Sequence, residues 1–348
     1  MLSGKILPIH FPPAPDELLS SWYIRLAHAN MLKAETFGTI LWGRQHQLWN
    51  RDIDRLSPEW LIRDLSSLTG TPFHVAWSTT LKSYEGKIFT ELHPSGISPW
   101  VLPVQMYHRK HKWPGLQFCP KCLKEDEEPY FRKRWRLALY TLCYRHGVLL
   151  CDCCPSCGEP VMFHRRELGK TSELDDRPLS LCYKCNNDLR LAKVEKPERY
   201  EQSAAVQAVL ASEWLEADTI LPTLDVSFYM VLHHACKLIL SERWGRELLN
   251  FISSQVGVNF LVLDTIGDVE VRKRAFFEHH SITKRYDILH RAYWLLAEPA
   301  TRLKETVELK AIRFNRLYRD FNLLPDWYQK ILHDISHSKS RRFHDLRP

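Results

Sequence analysis

Four closely spaced pairs of potential metal ligands, three Cys–Cys and one Cys–His, constrain this chain more than any other sequence feature. Seven of the ten cysteines fall within residues 118–161, and the four pairs read C-P-K-C, C-Y-R-H, C-P-S-C and C-Y-K-C. Each pair can bend around one metal ion and present two ligands at the angle that tetrahedral zinc requires. The sequence therefore predicts two structural Zn²⁺ ions. The predicted ligands are Cys119, Cys122, Cys143 and His146 at the first site, and Cys154, Cys157, Cys182 and Cys185 at the second.

Both predicted sites have four protein ligands, which leaves no coordination position for a catalytic water. A closed site contributes on the order of 10 kcal/mol to folding, so the metals are expected to order a segment with many turns and little core. A redox or disulfide role is the alternative, although disulfides rarely persist in a reducing cytoplasm. Cys151 or Cys153 could replace Cys154 as a ligand, but Gly158 after the C-P-S-C pair favours Cys154. Cys236, on an apolar helical face, is interpreted as a core residue.

Length and charge limit the class of protein. With 348 residues, 45% of them hydrophobic, the chain is long enough for two or three domains. Its formal charge of +7 favours contact with a polyanion. The sequence opens without a secretory signal pattern, and no apolar run reaches the ~18 residues that span a bilayer. These features predict a cytoplasmic protein that does not enter a membrane.

Apolar periodicity predicts a mainly α fold. A helix is expected over residues 16–32, a second apolar stretch covers residues 37–49, and two helices joined by T-G-T fit a helix-turn-helix. Five periodic segments follow residue 199, and a short strand is possible over residues 257–266. We predict a helix-turn-helix domain at 1–83, a connector at 84–114, a zinc-finger region at 115–198 and a helical domain at 199–348.

Basic residues around the cysteine pairs suggest a binding surface. The run R-K-R-W-R lies between the two halves of the first predicted zinc site, which would display it from a rigid base toward phosphates or an acidic partner. A solvated charged face is the alternative. The candidate contacts are Arg132, Lys133, Arg134 and Arg136 in this run, Arg109, Lys110 and Lys112 upstream of it, and His74, Ser78, Thr79 and Lys82 on the second helix of the helix-turn-helix.

No catalytic pattern stands out in the sequence. The segment H-R-R-E-L-G-K-T ends like a phosphate-binding loop, but His164 occupies the position of the first glycine that such a loop needs. Neither a nucleophile elbow nor a metal-binding H-E-x-x-H motif is present. We therefore predict a protein that is not an enzyme.

Several segments resemble the TniQ family, whose larger relative is TnsD. These segments are PDELLSSWYIRLA, LSSLTGTP and, above all, FCPKCLKEDEEPYFRKRWRLALYTLCYRHGVLL followed by CCPSCG. The resemblance covers roughly residues 11–159 and implies an amino-terminal helix-turn-helix, a zinc-finger region and a helical carboxy-terminal part. It carries over six of the zinc ligands, whereas Cys182 and Cys185 rest on spacing alone. It also implies that Trp135 supports the finger from a partly buried position.

Members of that family select targets for DNA transposons, so the resemblance implies a noncatalytic adaptor. Its expected partners are an AAA+ ATPase regulator, which summons the transposase, and a Cascade-type CRISPR effector complex with guide RNA. The alternative is a direct, sequence-specific DNA-binding protein that recognises an attachment site or an operator. The second helix of the helix-turn-helix carries no arginine, although arginine and lysine usually anchor phosphates and read guanine. A homodimer is expected from the resemblance.

Overall fold

The protein is described by a computed structural model that covers residues 6–46, 48–104, 114–167, 174, 177–196, 225–241, 244–256 and 276–344. These residues are mainly helical, as predicted. The chain divides into two compact units, Met1–Thr219 and Ile220–Pro348. The domain boundaries within residues 1–198 stay a prediction. Within the described part of the chain, no helix combines the length and the apolar character needed to cross a bilayer.

The first unit is built from short helices. They are α1 (Leu19–Ala29), α2 (Ala34–Trp42), α3 (Ile53–Leu56), α4 (Glu59–Thr69), α5 (Phe73–Ser78) and α6 (Pro120–Glu125). The helix predicted over residues 16–32 is present as α1, but it is shorter. It begins after Asp16, whose backbone is left-handed with φ of +57°, and it ends before Met31, where φ is +58°. Residues in this conformation do not continue a right-handed helix.

Helices α4 and α5 are the two helices predicted around T-G-T. Gly70 ends α4 with φ of +67°, a left-handed conformation that glycine adopts without steric cost. The hydroxyl of Ser66 donates to the backbone oxygen of Thr71, which ties the link to α4. Helix α5 has only six residues and is followed by a 3-10 turn, Leu81–Tyr84. The assignment of this pair as a DNA-reading helix-turn-helix stays a prediction.

Aromatic side chains fill the core of the first unit. Trp22 and Tyr23 of α1 are fully buried, and the ring of Tyr23 meets that of Trp49 edge-on at 5.4 Å. Trp135 is also buried, against Phe131 at 5.9 Å. The expectation that Trp135 supports the finger region is consistent with this packing, and its burial is more complete than expected.

A small antiparallel sheet lies beside the first group of cysteines. Strands β1 (Leu142–Cys143) and β2 (Val148–Leu149) pair so that Leu142 faces Leu149 and Cys143 faces Val148. This hairpin therefore carries the C-Y-R-H pair, with Cys143 in β1 and His146 in the turn between the strands. A further backbone pair, Phe118 with Cys151, joins the start of the region to its middle.

The second unit is helical in its described residues. Its helices are α7 (Val226–Ile239), α8 (Gly245–Val256), α9 (Ile282–Ala297), α10 (Pro299–Glu308) and α11 (Asp326–His344). Helix α7 packs against α9, and Cys236 lies in the core of the unit, as predicted. His233 lies 2.8 Å from Glu278, and His234 lies 2.9 Å from the backbone oxygen of Arg316. The strand considered for residues 257–266 and the helix predicted near residues 204–217 lie outside the described residues.

Candidate metal centres

The first group of paired ligands converges at one point. The Nδ1 atom of His146 lies 3.4 Å from each of the three sulfur atoms of Cys119, Cys122 and Cys143. The sulfur atoms of Cys122 and Cys143 are 3.6 Å apart. Zinc bonded at about 2.3 Å to sulfur and about 2.0 Å to nitrogen has S···N edges of about 3.5 Å and S···S edges of about 3.8 Å. The four side chains thus have nearly the shape of a zinc coordination shell.

The second ring nitrogen of His146 also has a partner. Its Nε2 atom lies 2.8 Å from Oε1 of Glu125, at the end of α6, and the other oxygen of that carboxylate accepts a hydrogen bond from Arg145. A carboxylate on the far nitrogen favours a proton there, which leaves Nδ1 free to bind a metal. Glu125 was not singled out from the sequence, since its role depends on the turn between β1 and β2.

The second group contains four cysteines. The sulfur atoms of Cys154 and Cys185 are 3.6 Å apart, and those of Cys157 and Cys182 are 3.7 Å apart. All four lie within 4.8 Å of one another, and the same limit holds for the ligand atoms of the first group. Both groups could therefore hold a metal ion. The pairing is the one predicted from the sequence.

Three of the four ligand pairs end in the same backbone turn. Gly147, Gly158 and Asn186 follow the pairs directly and have φ of +58°, +69° and +59°. The backbone N–H of each donates to the carbonyl of the first residue in its pair, at 2.8, 2.9 and 3.0 Å. Glycine and asparagine are the residues that adopt this conformation most readily. The fourth pair differs because Cys119 caps α6 and Cys122 lies within that helix.

The remaining cysteines of this region lie outside both groups. The Cys151 thiol is near the backbone oxygen of Lys193 at 3.8 Å, and the Cys153 thiol is near its neighbour Asp152 at 3.3 Å. Burial raises the pKa of each thiol to about 12. Neither replaces Cys154 in the second group.

The structure corrects the expectation that the R-K-R-W-R run is displayed on the surface. Its four basic side chains are buried and bind other parts of the first unit. Arg136 is only 1% exposed, and its guanidinium donates to Asp52 at 2.5 Å and to Asp54 at 3.1 Å. Burial raises the pKa of Asp54 to about 7, against the opposing effect of Arg136. A buried guanidinium needs such partners because an unpaired charge is costly to remove from water.

The other basic residues of the run have partners of their own. Arg132 donates to both oxygens of Asp126, at 2.7 and 3.1 Å, and Arg134 donates to Asp16 at 2.5 Å. Lys133 donates to the backbone oxygen of Ser78 at 2.6 Å, and burial lowers its pKa to about 8. The run therefore connects the loop between the first two ligand pairs to the segment before α1, the region around α3 and the end of α5.

The other predicted contacts differ in accessibility. On α5, His74 and Ser78 are exposed, whereas Thr79 is buried and its hydroxyl donates to the backbone oxygen of Ala76. Lys82 is half-buried. Arg109, Lys110 and Lys112 lie outside the described residues. His164, which rules out a phosphate-binding loop, stacks on Trp49 with ring centroids 5.9 Å apart.

Two groups of four Cys and His ligands that could each hold a metal ion are typical of the class of proteins that contain structural zinc sites. Residues 8–150 match the family model TniQ, so this part of the chain carries a TniQ domain. The match includes the helices of the first unit and the first ligand group, and it ends before the second. A TniQ domain implies a part in transposition target selection, and proteins of this family are noncatalytic. No curated protein matches the chain.

Proposed function

We propose that this protein is a noncatalytic target-selection adaptor of DNA transposition. In this proposal it links a target complex, an RNA-guided CRISPR effector of the Cascade type, to the AAA+ ATPase regulator and through it to the transposase. The observation that carries the proposal is the TniQ match over residues 8–150, which includes the first group of ligands. We further propose that it acts in the cytoplasm as a homodimer.

We propose that both ligand groups hold Zn²⁺ and that the metals are structural. The donor sets, three thiols with one imidazole and four thiols, suit zinc, and the distances fit its tetrahedral shell. Because each group already provides four ligands, the ions would order the chain rather than bind substrate. Cys119, Cys122, Cys143 and His146 would hold one ion, and Cys154, Cys157, Cys182 and Cys185 the other.

The burial of the basic run supports an adaptor over a DNA reader. Arg132, Arg134 and Arg136 are all paired with carboxylates, so this run offers no free cation for phosphates. The direct DNA-binding alternative keeps one supporting observation, the exposure of His74 and Ser78 on α5. Contacts through a histidine and a hydroxyl give less phosphate anchoring than arginine and lysine.

Co-purification tests the proposal. The protein is produced together with a Cascade-type effector carrying guide RNA and with an AAA+ ATPase regulator of transposition, and the complexes are captured through a tag on this chain. Stable capture of the ATPase and of the guide-loaded effector is expected. The Cys122→Ser variant should lose both partners, while Cys153→Ser, which changes a thiol outside both groups, should keep them.

A salt titration separates the two functions. An adaptor should bind duplex DNA weakly and without preference for sequence, whereas a direct reader should prefer one duplex strongly and show a steep dependence on salt. If the protein captures neither partner and binds one duplex tightly, the adaptor proposal is wrong and the DNA-binding alternative is supported.

A further inference from the structure

An open groove lies at the surface of the first unit, between the end of α2 and the start of α4. Its volume is about 400 Å³, within the range of about 300–1,000 Å³ that is typical of sites that bury an organic ligand. Ile53, Leu56 and Pro58 contribute apolar surface to it, and Trp60 forms one wall. The groove belongs neither to the metal centres nor to the surface of α5.

Trp60 is the most prominent side chain of the groove. It is 37% exposed, although it is one of the largest apolar residues of the unit. The ring of His46 lies against it at 4.7 Å, and Trp42 meets it at a steep angle at 5.6 Å. These rings cover part of its surface and leave the rest exposed. An aliphatic or aromatic side chain entering over Leu56 would still bury apolar area.

Two cations at this groove differ from the other arginines of the unit. Arg51 lines the groove, and Arg44 lies in the loop that leads to it. Both are exposed, and neither forms an ion pair or a hydrogen bond with any residue that the structure describes. By contrast, even the exposed Arg63 is paired with Glu59. The groove therefore joins an apolar floor to unpaired positive charge.

We propose that this groove binds an acidic segment of a partner protein. One or more apolar side chains of that segment would enter between Leu56 and Trp60, and its carboxylates would face Arg44 and Arg51. Interfaces commonly combine a buried apolar anchor with charged groups at the rim, and the rim charges govern the rate and the choice of partner. This inference is independent of the function proposed above, because it concerns only the chemistry of the ligand.

Selection from a random linear peptide library tests the proposal on the full chain. The wild-type protein is the target, and peptides that also bind the Leu56→Glu variant are removed. The recovered peptides should share an apolar residue flanked by aspartate or glutamate. They should bind the Arg51→Glu variant about tenfold more weakly, since a reversed rim charge converts an attraction into a repulsion.

The Lys87→Glu variant is the matched control because it reverses an exposed charge elsewhere on the same unit. It should bind the peptides about as well as the wild type. Thermal unfolding and metal content establish that each variant is folded, and the milder Arg51→Ala replaces Arg51→Glu if the latter is not. Peptides without acidic residues, or equal binding to the Arg51→Glu and Lys87→Glu variants, would refute the proposal. So would Arg51-dependent binding of single-stranded oligothymidylate in preference to the peptides.

Discussion

Glu125 lies 2.8 Å from the Nε2 atom of His146, on the opposite side of the ring from the three sulfur atoms. This contact fixes both the orientation of the ring and the nitrogen that faces the metal centre. Groups that hold a metal-binding histidine in this way typically contribute a factor of 10 to 100 in metal affinity.

Replacing Glu125 by glutamine should therefore weaken zinc binding at the first group by about tenfold to 100-fold. Competition with a chromophoric chelator measures the affinity of each site. Glu127→Gln removes an exposed carboxylate two residues away and should leave the affinity unchanged. Equal affinities in both variants would mean that the Glu125 contact does not support the metal centre.

Removal of zinc should unfold the region around residues 115–190. Chelation, or the Cys143→Ser substitution, should make this region sensitive to proteases, because each closed site is expected to contribute on the order of 10 kcal/mol. Cys153→Ser leaves both groups intact and should resist digestion like the wild type. A metal-free protein that resists digestion equally well would contradict a structural role.

Arg136 should matter for stability in a way that an exposed arginine does not. The Arg136→Met substitution leaves Asp52 and Asp54 without their cation and should lower the free energy of unfolding by about 3–5 kcal/mol. Arg63→Met breaks an exposed pair with Glu59 and should cost less than about 1 kcal/mol. Urea unfolding measures both changes. Similar losses in the two variants would show that the buried pairing is not formed in solution.

Asp54 should make stability depend on pH between about 4 and about 7. Burial raises its pKa to about 7 in the folded protein, whereas the unfolded chain has an ordinary value of about 3.9. The folded state therefore binds more protons in this window, so the contribution of Asp54 is fully present below about pH 4 and is lost as the pH rises through about 7.

The Asp54→Asn variant removes this titration and provides the reference. The stability of the wild type relative to Asp54→Asn should fall as the pH rises, by at most about 1.4 kcal/mol per pH unit. Urea unfolding at several pH values measures the difference, and effects of pH on the metal centres cancel in the comparison. A difference that stays constant with pH would show that the carboxyl is ionised throughout.

The sequence predicted which paired ligands lie together better than it predicted the surface. Spacing alone was enough to group Cys154 with Cys185 and Cys119 with His146, because two ligands in a short pair must point to nearly the same place. The basic run was more difficult, since Arg136 can be assigned to the interior only when Asp52 and Asp54 are known to lie beside it. Those partners are more than 80 residues away along the chain, and no local pattern reports such a contact.

Helix boundaries were also only partly predictable. The apolar spacing of α1 indicates a helix, but its start depends on Asp16, which leaves the helical conformation and accepts from Arg134. The tight turns at Gly147 and Asn186 could have been predicted from the sequence in the same way as the turn at Gly158, because each of these residues directly follows a ligand pair. Glu125 had no such signal, since its partner His146 lies 21 positions later.

The pairing of the basic run has a consequence for protein engineering. Residues 119–146 resemble a finger that could be moved between proteins, yet their three buried arginines are all paired with carboxylates. The carboxylates that pair with Arg134 and Arg136 belong to residues 16, 52 and 54, outside the finger. Grafted onto another scaffold, the segment would bring these two guanidinium groups without their counter-ions. An exchange between relatives would therefore have to transfer the amino-terminal helices and the finger as one cassette.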